Sequence, residues 1–405
     1  MSDLDAGPLR DHEFDEAVAL LAYSFGTAAE AHAQLEGLPP EQIFAVRRAE
    51  GLAAIGRWES AEVSLHGLPT SIAVKGLVTT HPALRRRGMI TPYAEPMMGL
   101  LREQGHVLAG WKTAIPRWWR AMGWGPCAAV SRYTGTPGLL RPTHDPALGG
   151  PELGPDPEDL LPVHRAFAAR RFGPLLRDVD DWHALLRPEP ADVRRDTVLW
   201  RGPQGTPEGY ARYRHTRSGA VTANRYEGLE LVVDELAALT PGAYLGLLGF
   251  LADHTTVPAF RWDAPADDPL PSVIREPRDL QPRTVVGGRI LRVVDMSRLT
   301  LPAGGAAAGA ADGLLLSVAD ELCAWNRGPW RAHRDGEVFR FVREPGSPES
   351  AVQVAAHAWG PLIARYLPVD HALLCGLLFP PAPTDRDRLA ALLPPTPAPY
   401  CPDEW

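Results

Sequence analysis

From Thr134 to Asp159 the chain reads TGTPGLLRPTHDPALGGPELGPDPED, where proline and glycine interrupt every run before a helix or strand can lengthen. A single core does not run through such a stretch, so it reads as a connection between domains. At 405 residues the chain has room for two to three domains of ordinary size. Strand and helix signals mix on both sides of the break, and a third unit begins near Pro282. The expected division is 1–140, 141–281 and 282–405. Hydrophobic content of 45% with 22% charged residues fits a globular chain. The longest apolar run, GAYLGLLGFLADH, is too short to span a bilayer and reads as a core helix. The amino terminus is acidic with no apolar stretch, so no signal peptide is expected and the expected location is cytoplasmic.

The formal charge of -8 argues against a nucleic-acid partner, and no membrane partner is expected. Cys127, Cys323, Cys375 and Cys401 lie far apart, without CxxC spacing or a neighbouring histidine cluster. Neither a metal site nor a disulfide scaffold is favoured. Lys75 and Lys112 are the only lysines beside abundant arginine, a bias that reads as coding composition rather than chemistry.

In the first unit, Phe14, Val18, Leu21 and Phe25 fall at helical spacing and Gly26 stops the helix. IFAVRRAEGLAAIGRWESAEVSLHG predicts strand, turn and strand, punctuated by Gly51 and Gly56. SIAVKGLVTTHP is a further strand run, and ALRRRGMITPYAEPMMGLLREQG a basic loop opening a helix. Pro96 lies deep enough in that helix to kink it. HVLAGWKT predicts a buried strand, IPRWWRAMGWG a short helix, and CAAVSRYTG another strand. The second unit repeats this mix. The third reads as a meander of strands with a helical ESAVQVAAHAWGPLIARYL. The fold class is α+β.

HPALRRRGMI carries the most chemistry. Arg85, Arg86 and Arg87 precede Gly88 between a strand and a helix. A helix start presents unpaired N–H groups and partial positive charge, glycine permits close approach, and arginine adds charge-assisted contacts. The functional reading is a pyrophosphate cradle; the plain one is a solvated basic turn.

This spacing, with the aromatic WWRAMGWG downstream, resembles the acyl-CoA loop and following motif of the GNAT superfamily of N-acetyltransferases. More narrowly, VTTHPALRRRGMI, MGWGP, FGPLLRDVDDWHALLR, DDPLPSVI, GRILRVVDMSRL and the aromatic carboxyl end, in that order, resemble the Eis (enhanced intracellular survival) family. The resemblance covers nearly the whole chain. It implies two GNAT-type domains followed by a C-terminal sterol-carrier-protein-like domain. It implies acyl-CoA, with acetyl-CoA as the usual co-substrate, and a small-molecule or peptide amine as acceptor. It also implies a homo-oligomer, commonly a hexamer. By position, the strand that would pair with the pantetheine arm is Val78, Thr79 and Thr80. The phosphate loop would be Arg85, Arg86, Arg87, Gly88, Met89 and Ile90.

The chain departs from the family at the acid. The tyrosine that would protonate the departing thiolate falls on Trp119, and Ala114-Ile115 stands in place of a Ser-Glu pair. Indole does not titrate usefully. A thiol near pKa ~8.5 leaves tolerably without help, so transfer would slow by roughly two to four powers of ten rather than stop. Trp111, Trp118, Trp119 and Trp124 form either a pocket wall or ordinary core. The resemblance further implies that the carboxylate of the final residue, Trp405, takes the amine proton. A free α-carboxyl has a pKa of about 3.5, and burial beside Tyr400 and the indole would raise it. Asp403 and Glu404 are rival bases or solvated acids. O-acylation, an unusual acyl donor, or CoA or lipid binding without catalysis are the alternatives.

Overall fold

The computed structural model describes residues 5–84, 91–143, 149–187, 195–217, 226–280, 282–285, 288–345, 348–403 and 405. The first stretch forms β1 (Asp5–Pro8), α1 (Phe14–Phe25), α2 (Ala28–Leu35), β2 (Ile43–Arg48), β3 (Gly51–Leu65), β4 (Leu68–Thr80), α3 (Thr91–Glu103), β5 (Leu108–Lys112), α4 (Pro116–Ala121), β6 (Gly125–Pro126) and β7 (Val130–Gly135). The second forms β8 (Gly150–Leu153), α5 (Pro157–Ala168), β9 (Phe172–Leu175), α6 (Val179–Leu185), β10 (Arg195–Arg201), β11 (Pro207–Arg217), β12 (Leu229–Ala238), α7 (Pro241–Ala252), β13 (Ala259–Pro265), α8 (Leu270–Val273), β14 (Arg283–Val285) and β15 (Arg289–Val293). The third forms β16 (Thr300–Pro302), β17 (Leu315–Ala319), β18 (Trp330–Asp335), β19 (Val338–Arg343), β20 (Val352–Ala355), α9 (Ala356–Ile363), α10 (Val369–Leu374), β21 (Leu378–Phe379) and α11 (Pro383–Leu392).

The sheets do not follow chain order. The first runs β1-β2-β3-β4-β5-β15-β6, with β9 added beside β3. Strand β15 therefore enters between two strands more than a hundred residues earlier. In exchange, β7 sits inside the second sheet, β14-β7-β13-β12-β11-β10-β8. The third sheet, β16-β19-β18-β17-β20-β21, stays within its own segment.

Two local readings change. The proline- and glycine-rich stretch is not a bare connection: it begins in β7, buries Pro137 and Leu140, passes through β8 and ends in the first turn of α5. Its Pro151 is tolerated because β8 is an edge strand, where a missing N–H costs no ladder bond. Gly56 makes no turn but lies inside β3, where a Cβ would touch Val78 and Met97. Pro96 lies inside helix α3, as its position in the sequence predicts.

The β3–β4 hairpin turns on His66 and Gly67, with φ of 54° and 97°. A two-residue turn of this hand needs positive φ at both positions. His66 bears that conformation while its Nε2 donates to the Ile363 carbonyl in the third domain, at 2.8 Å. One apolar cluster joins Val63, Ile72 and Leu108 of the first sheet to Phe339, Trp359 and Leu362 of the third domain and to Trp405. The tail is thus seated in a core shared between domains.

Burial, helped by Arg365, pushes the His66 imidazole down to about 3 from 6.5. The stability this supplies is complete above pH 6.5 and is lost as pH falls toward 3. His66→Asn, which also tolerates positive φ, should flatten the acid limb of the stability curve by up to about 1.4 kcal/mol per pH unit. Urea unfolding at stepped pH measures this, and an unchanged slope rejects His66 as its source.

Candidate active site

Strands β4 and β5 are parallel but pair only at Ile72 with Leu108 and Ala73 with Ala109. The divergence starts at a β-bulge. Arg57 faces Leu77 and Glu59 faces Val74, so β4 carries one extra residue around Lys75 and Gly76. Lys75 has φ of 52°, uncommon for a residue with a side chain. A Cβ on Gly76 would run into the Trp111 ring. Beyond the bulge, Leu77, Val78 and Thr79 pair with β3 alone among the described strands. Their other backbone edge faces the splay, as a strand edge does when it receives an extended ligand.

The two faces of the splay differ. On the α3–α4 face, the Trp119 ring lies 5.0 Å from Trp111, 4.6 Å from Trp118 and 5.3 Å from Trp124. Trp119 is buried, and with Val78, Tyr93, Met97 and Met98 it lines an apolar cavity. The Trp111 Nε1–H is buried with no partner among the described residues. Thr79 turns its hydroxyl to that of Ser24 on α1.

The tail occupies the opposite face. Trp405 is 2% exposed and lies against Gly110 of β5, where any Cβ would collide with its ring. Its Nε1 donates to the Gly173 carbonyl at 3.2 Å, and its ring meets Phe172 edge-on at 6.3 Å. Gly173 has φ of 121°, and a Cβ there would sit 2.5 Å from the Tyr400 carbonyl. Tyr400 N–H donates to the Phe172 carbonyl, so the tail runs along β9.

Asp403 anchors this arrangement. It accepts from the Leu175 N–H at 3.0 Å and from Arg177 Nη2 at 2.7 Å, and Arg289 donates to its backbone carbonyl. Arg177 Nη1 lies 2.9 Å from Glu235 Oε2, and Tyr210 donates its hydroxyl to Glu235 Oε1 at 2.6 Å. Burial works to raise the Glu235 carboxyl; Arg177, with His164 and Arg212, outweighs it and holds the group below its ordinary 4.5. The stability so gained is present above that pH and is lost below it. Asp403 is therefore an anchor rather than a solvated acid. Glu404 lies outside the described residues.

Trp405 lines a cleft of about 430 Å³ together with Lys75, Leu77, Lys112, Arg289 and Tyr400. Trp119 is not among its walls: Trp111, which it packs on, and Gly110, which Trp405 covers, point to opposite faces of β5. The structure brings Val78 and Trp119 together on one face and seats Trp405 on the other. Arg85, Arg86, Arg87, Gly88, Met89 and Ile90 lie outside the described residues. Sequence reasoning missed the anchoring role of Arg177, Glu235 and Gly173. It noticed Lys75 and Lys112 without seeing that they converge.

Residues 5–127 and 173–293 each match a family model described as an acetyltransferase (GNAT) domain, and residues 300–402 match a sterol carrier protein domain. The chain is two GNAT domains followed by a sterol-carrier-like domain. An uncharacterized N-acetyltransferase of Streptomyces griseus is 29% identical over 244 residues, 56% of this chain and 57% of that protein. The tandem-GNAT chain thus spans a little over half the length of the curated relatives it matches. A GCN5-related N-acetyltransferase from Anabaena variabilis superposes with TM-score 0.82 at 16% identity over 100% of both chains. A probable N-acyltransferase from Enterococcus faecalis gives 0.80 at 19%, and Eis1 from Mycobacterium abscessus 0.75 at 20%, each again over 100% of both chains. At these identities the likeness is one of fold. Among the described residues no His, Cys, Asp and Glu cluster is arranged to hold a metal, and no helix is long and apolar enough to cross a membrane.

Removing the Asp403 charge leaves the buried Arg177 with Glu235 as its remaining carboxylate. Asp403→Asn in the tandem-GNAT chain should cost about 3 kcal/mol of stability and release the tail to carboxypeptidase. Urea titration and timed digestion measure the two effects. A tail as resistant as in the parent protein would remove Asp403 as its anchor.

Proposed function

We propose that this chain is an acyltransferase that moves an acyl group directly from acyl-CoA to an amine of a small-molecule or peptide acceptor. One observation carries the reading: the splayed β4–β5 pair, with a free backbone edge at Leu77 to Thr79 and Trp405 seated across Gly110. The two GNAT domains add their support. Acyl-CoA would lie along the β4 edge at Val78, Thr79 and Thr80, with its phosphates toward Arg85–Ile90 and the start of α3. The residues present fit such a ligand. Buried donors without acceptors are rare, and the Trp111 Nε1–H beside the splay is one that a ligand carbonyl would satisfy.

In the reaction the neutral acceptor amine attacks the thioester carbonyl. A C–N bond forms, the C–S bond breaks, and the amine proton passes to the Trp405 α-carboxylate. Loss of the family's tyrosine is tolerable because a thiolate, with a conjugate pKa of about 8.5, leaves without strong acid help. Trp119 then serves as a wall that positions the acyl group.

A second reading concerns the donor. The cavity beside Val78 is walled by Met97, Met98, Met122 and Trp119, and methionine walls adapt to different shapes. An acyl chain longer than acetyl is the occupant this lining favours.

Free-CoA release with a panel of acyl donors and amine acceptors tests transfer. Deleting Trp405, or appending residues after it, should lower kcat by about 100-fold or more while acyl-CoA still raises the melting temperature. Full turnover without the Trp405 carboxylate overturns its role as base. Acyl-CoA binding with no turnover on any acceptor overturns transfer in favour of a CoA binder.

A further inference from the structure

The charge around Trp405 runs against that of the whole molecule. The chain carries -8 overall, yet its cleft is lined by Lys75, Lys112, Arg214, Arg261 and Arg289 against two side-chain carboxylates, Asp234 and Asp263, and the α-carboxylate of Trp405. Both acids are already engaged: Asp234 by Arg214 at 2.6 Å and Arg195, Asp263 by Arg132 at 2.6 Å. Lys75 pairs with Glu59 at 2.7 Å, and Arg261 lies 3.7 Å from Glu230. Two cations remain. Lys112 and Arg289 have no acidic side-chain partner among the described residues.

These two are not scattered. Arg289 of β15 stands directly opposite Lys112 of β5 in antiparallel register. Like charges directly across a ladder repel, and strands ordinarily avoid the arrangement. Among the described residues Arg289 reaches only a backbone carbonyl, that of Asp403, and its Nε is buried without a partner. Lys112 is exposed to the cleft, on the same strand face as Gly110 and two residues from it, about 7 Å along the strand. The Trp405 ring covers Gly110, so the unmatched pair stands one short ligand away from the tail's end. A chain that uses arginine almost everywhere has two lysines, and both line this cleft.

We infer that the acceptor carries an anionic group, a carboxylate or a phosphate, close to the amine that is acylated, and that Lys112 and Arg289 receive that anion. The inference rests on the transferase reading for the word acceptor, but the anion site itself does not. An anion between the two cations removes their repulsion and gains charge-assisted hydrogen bonds. The same field repels polyamines and other polycations. It also orients the ligand: with the anion held at Lys112 and Arg289, the amine end points toward Trp405.

The test compares matched acceptors under saturating acetyl-CoA: β-alanine with β-alaninamide, and phosphoethanolamine with ethanolamine, with spermidine as the polycation. At least one anionic member should exceed its neutral partner in kcat/KM by about tenfold or more. The pair that shows it tells carboxylate from phosphate. Lys112→Gln, at an exposed site that tolerates the change, should shrink that ratio through KM, and Arg289→Gln should do the same.

A second readout needs no turnover. The chain's two ε-amines can be acetylated with sulfosuccinimidyl acetate and located by mass spectrometry. N-acetyl-β-alanine or N-acetylphosphoethanolamine should protect Lys112, and N-acetylethanolamine should not. Protection without turnover upholds the anion site and overturns the transferase reading. Turnover with no anionic preference and no protection overturns the anion site and leaves transfer standing. Spermidine as the preferred acceptor also overturns it.

Discussion

The architecture around the tail depends on one chain of buried charge. Arg177, 4% exposed at its side chain, stands between Glu235 of β12 and Asp403 of the tail. Burying a guanidinium is costly unless carboxylates and hydrogen bonds surround it. Here Asp403 and Glu235 together outweigh the burial and keep Arg177 firmly protonated. The tail is therefore held by an ion that would lose one of its two carboxylates if the tail left. Such a bond gives little net stability but strong positional specificity, because alternative seats for the tail leave Arg177 with Glu235 alone against its burial. Two positions beyond Asp403, the indole of Trp405 drops against β5.

Glycine completes the positioning. Gly76 makes room for Trp111 and Gly110 for Trp405, on neighbouring strands and from opposite faces. Gly173 lets Tyr400 and Cys401 pass against β9. At each place a methyl group would displace an aromatic ring or the tail backbone. The splay is thus wedged by rings on both sides rather than left as an empty gap, and the bulge at Lys75 keeps the strands from closing.

Much of the local structure was legible from the chain. Helix α1 follows the spacing of Phe14 to Phe25, and the mixed order of the first unit follows alternation and punctuation. The fold class and the three-domain composition followed from the order of motifs. What escaped was non-local. Nothing in GRILRVVDM says that Arg289–Val293 completes a sheet begun at Asp5, because a central strand looks the same whichever sheet accepts it. Gly56 reads as a turn in the sequence because a glycine kept for space resembles a glycine kept for φ. The faces of Trp119 and Trp405 were obscured because only their partners on β5, Trp111 and Gly110, carry the alternation that separates them. The two lysines looked like composition because convergence is a property of the folded chain.

The placement of β15 has a consequence for how the protein is made. The first sheet needs a strand that lies 177 positions beyond the end of β5, measured from Lys112 to Arg289. Loops of that size close slowly, and chains normally fold domain by domain as they emerge. A nascent chain that has delivered only its first 140 residues therefore presents β5 with one bare edge and no inserted strand. The second domain must be synthesised before the first can be finished, and the two mature together. During that interval β5 has an unpaired strand edge, the kind of edge that invites pairing with the wrong strand.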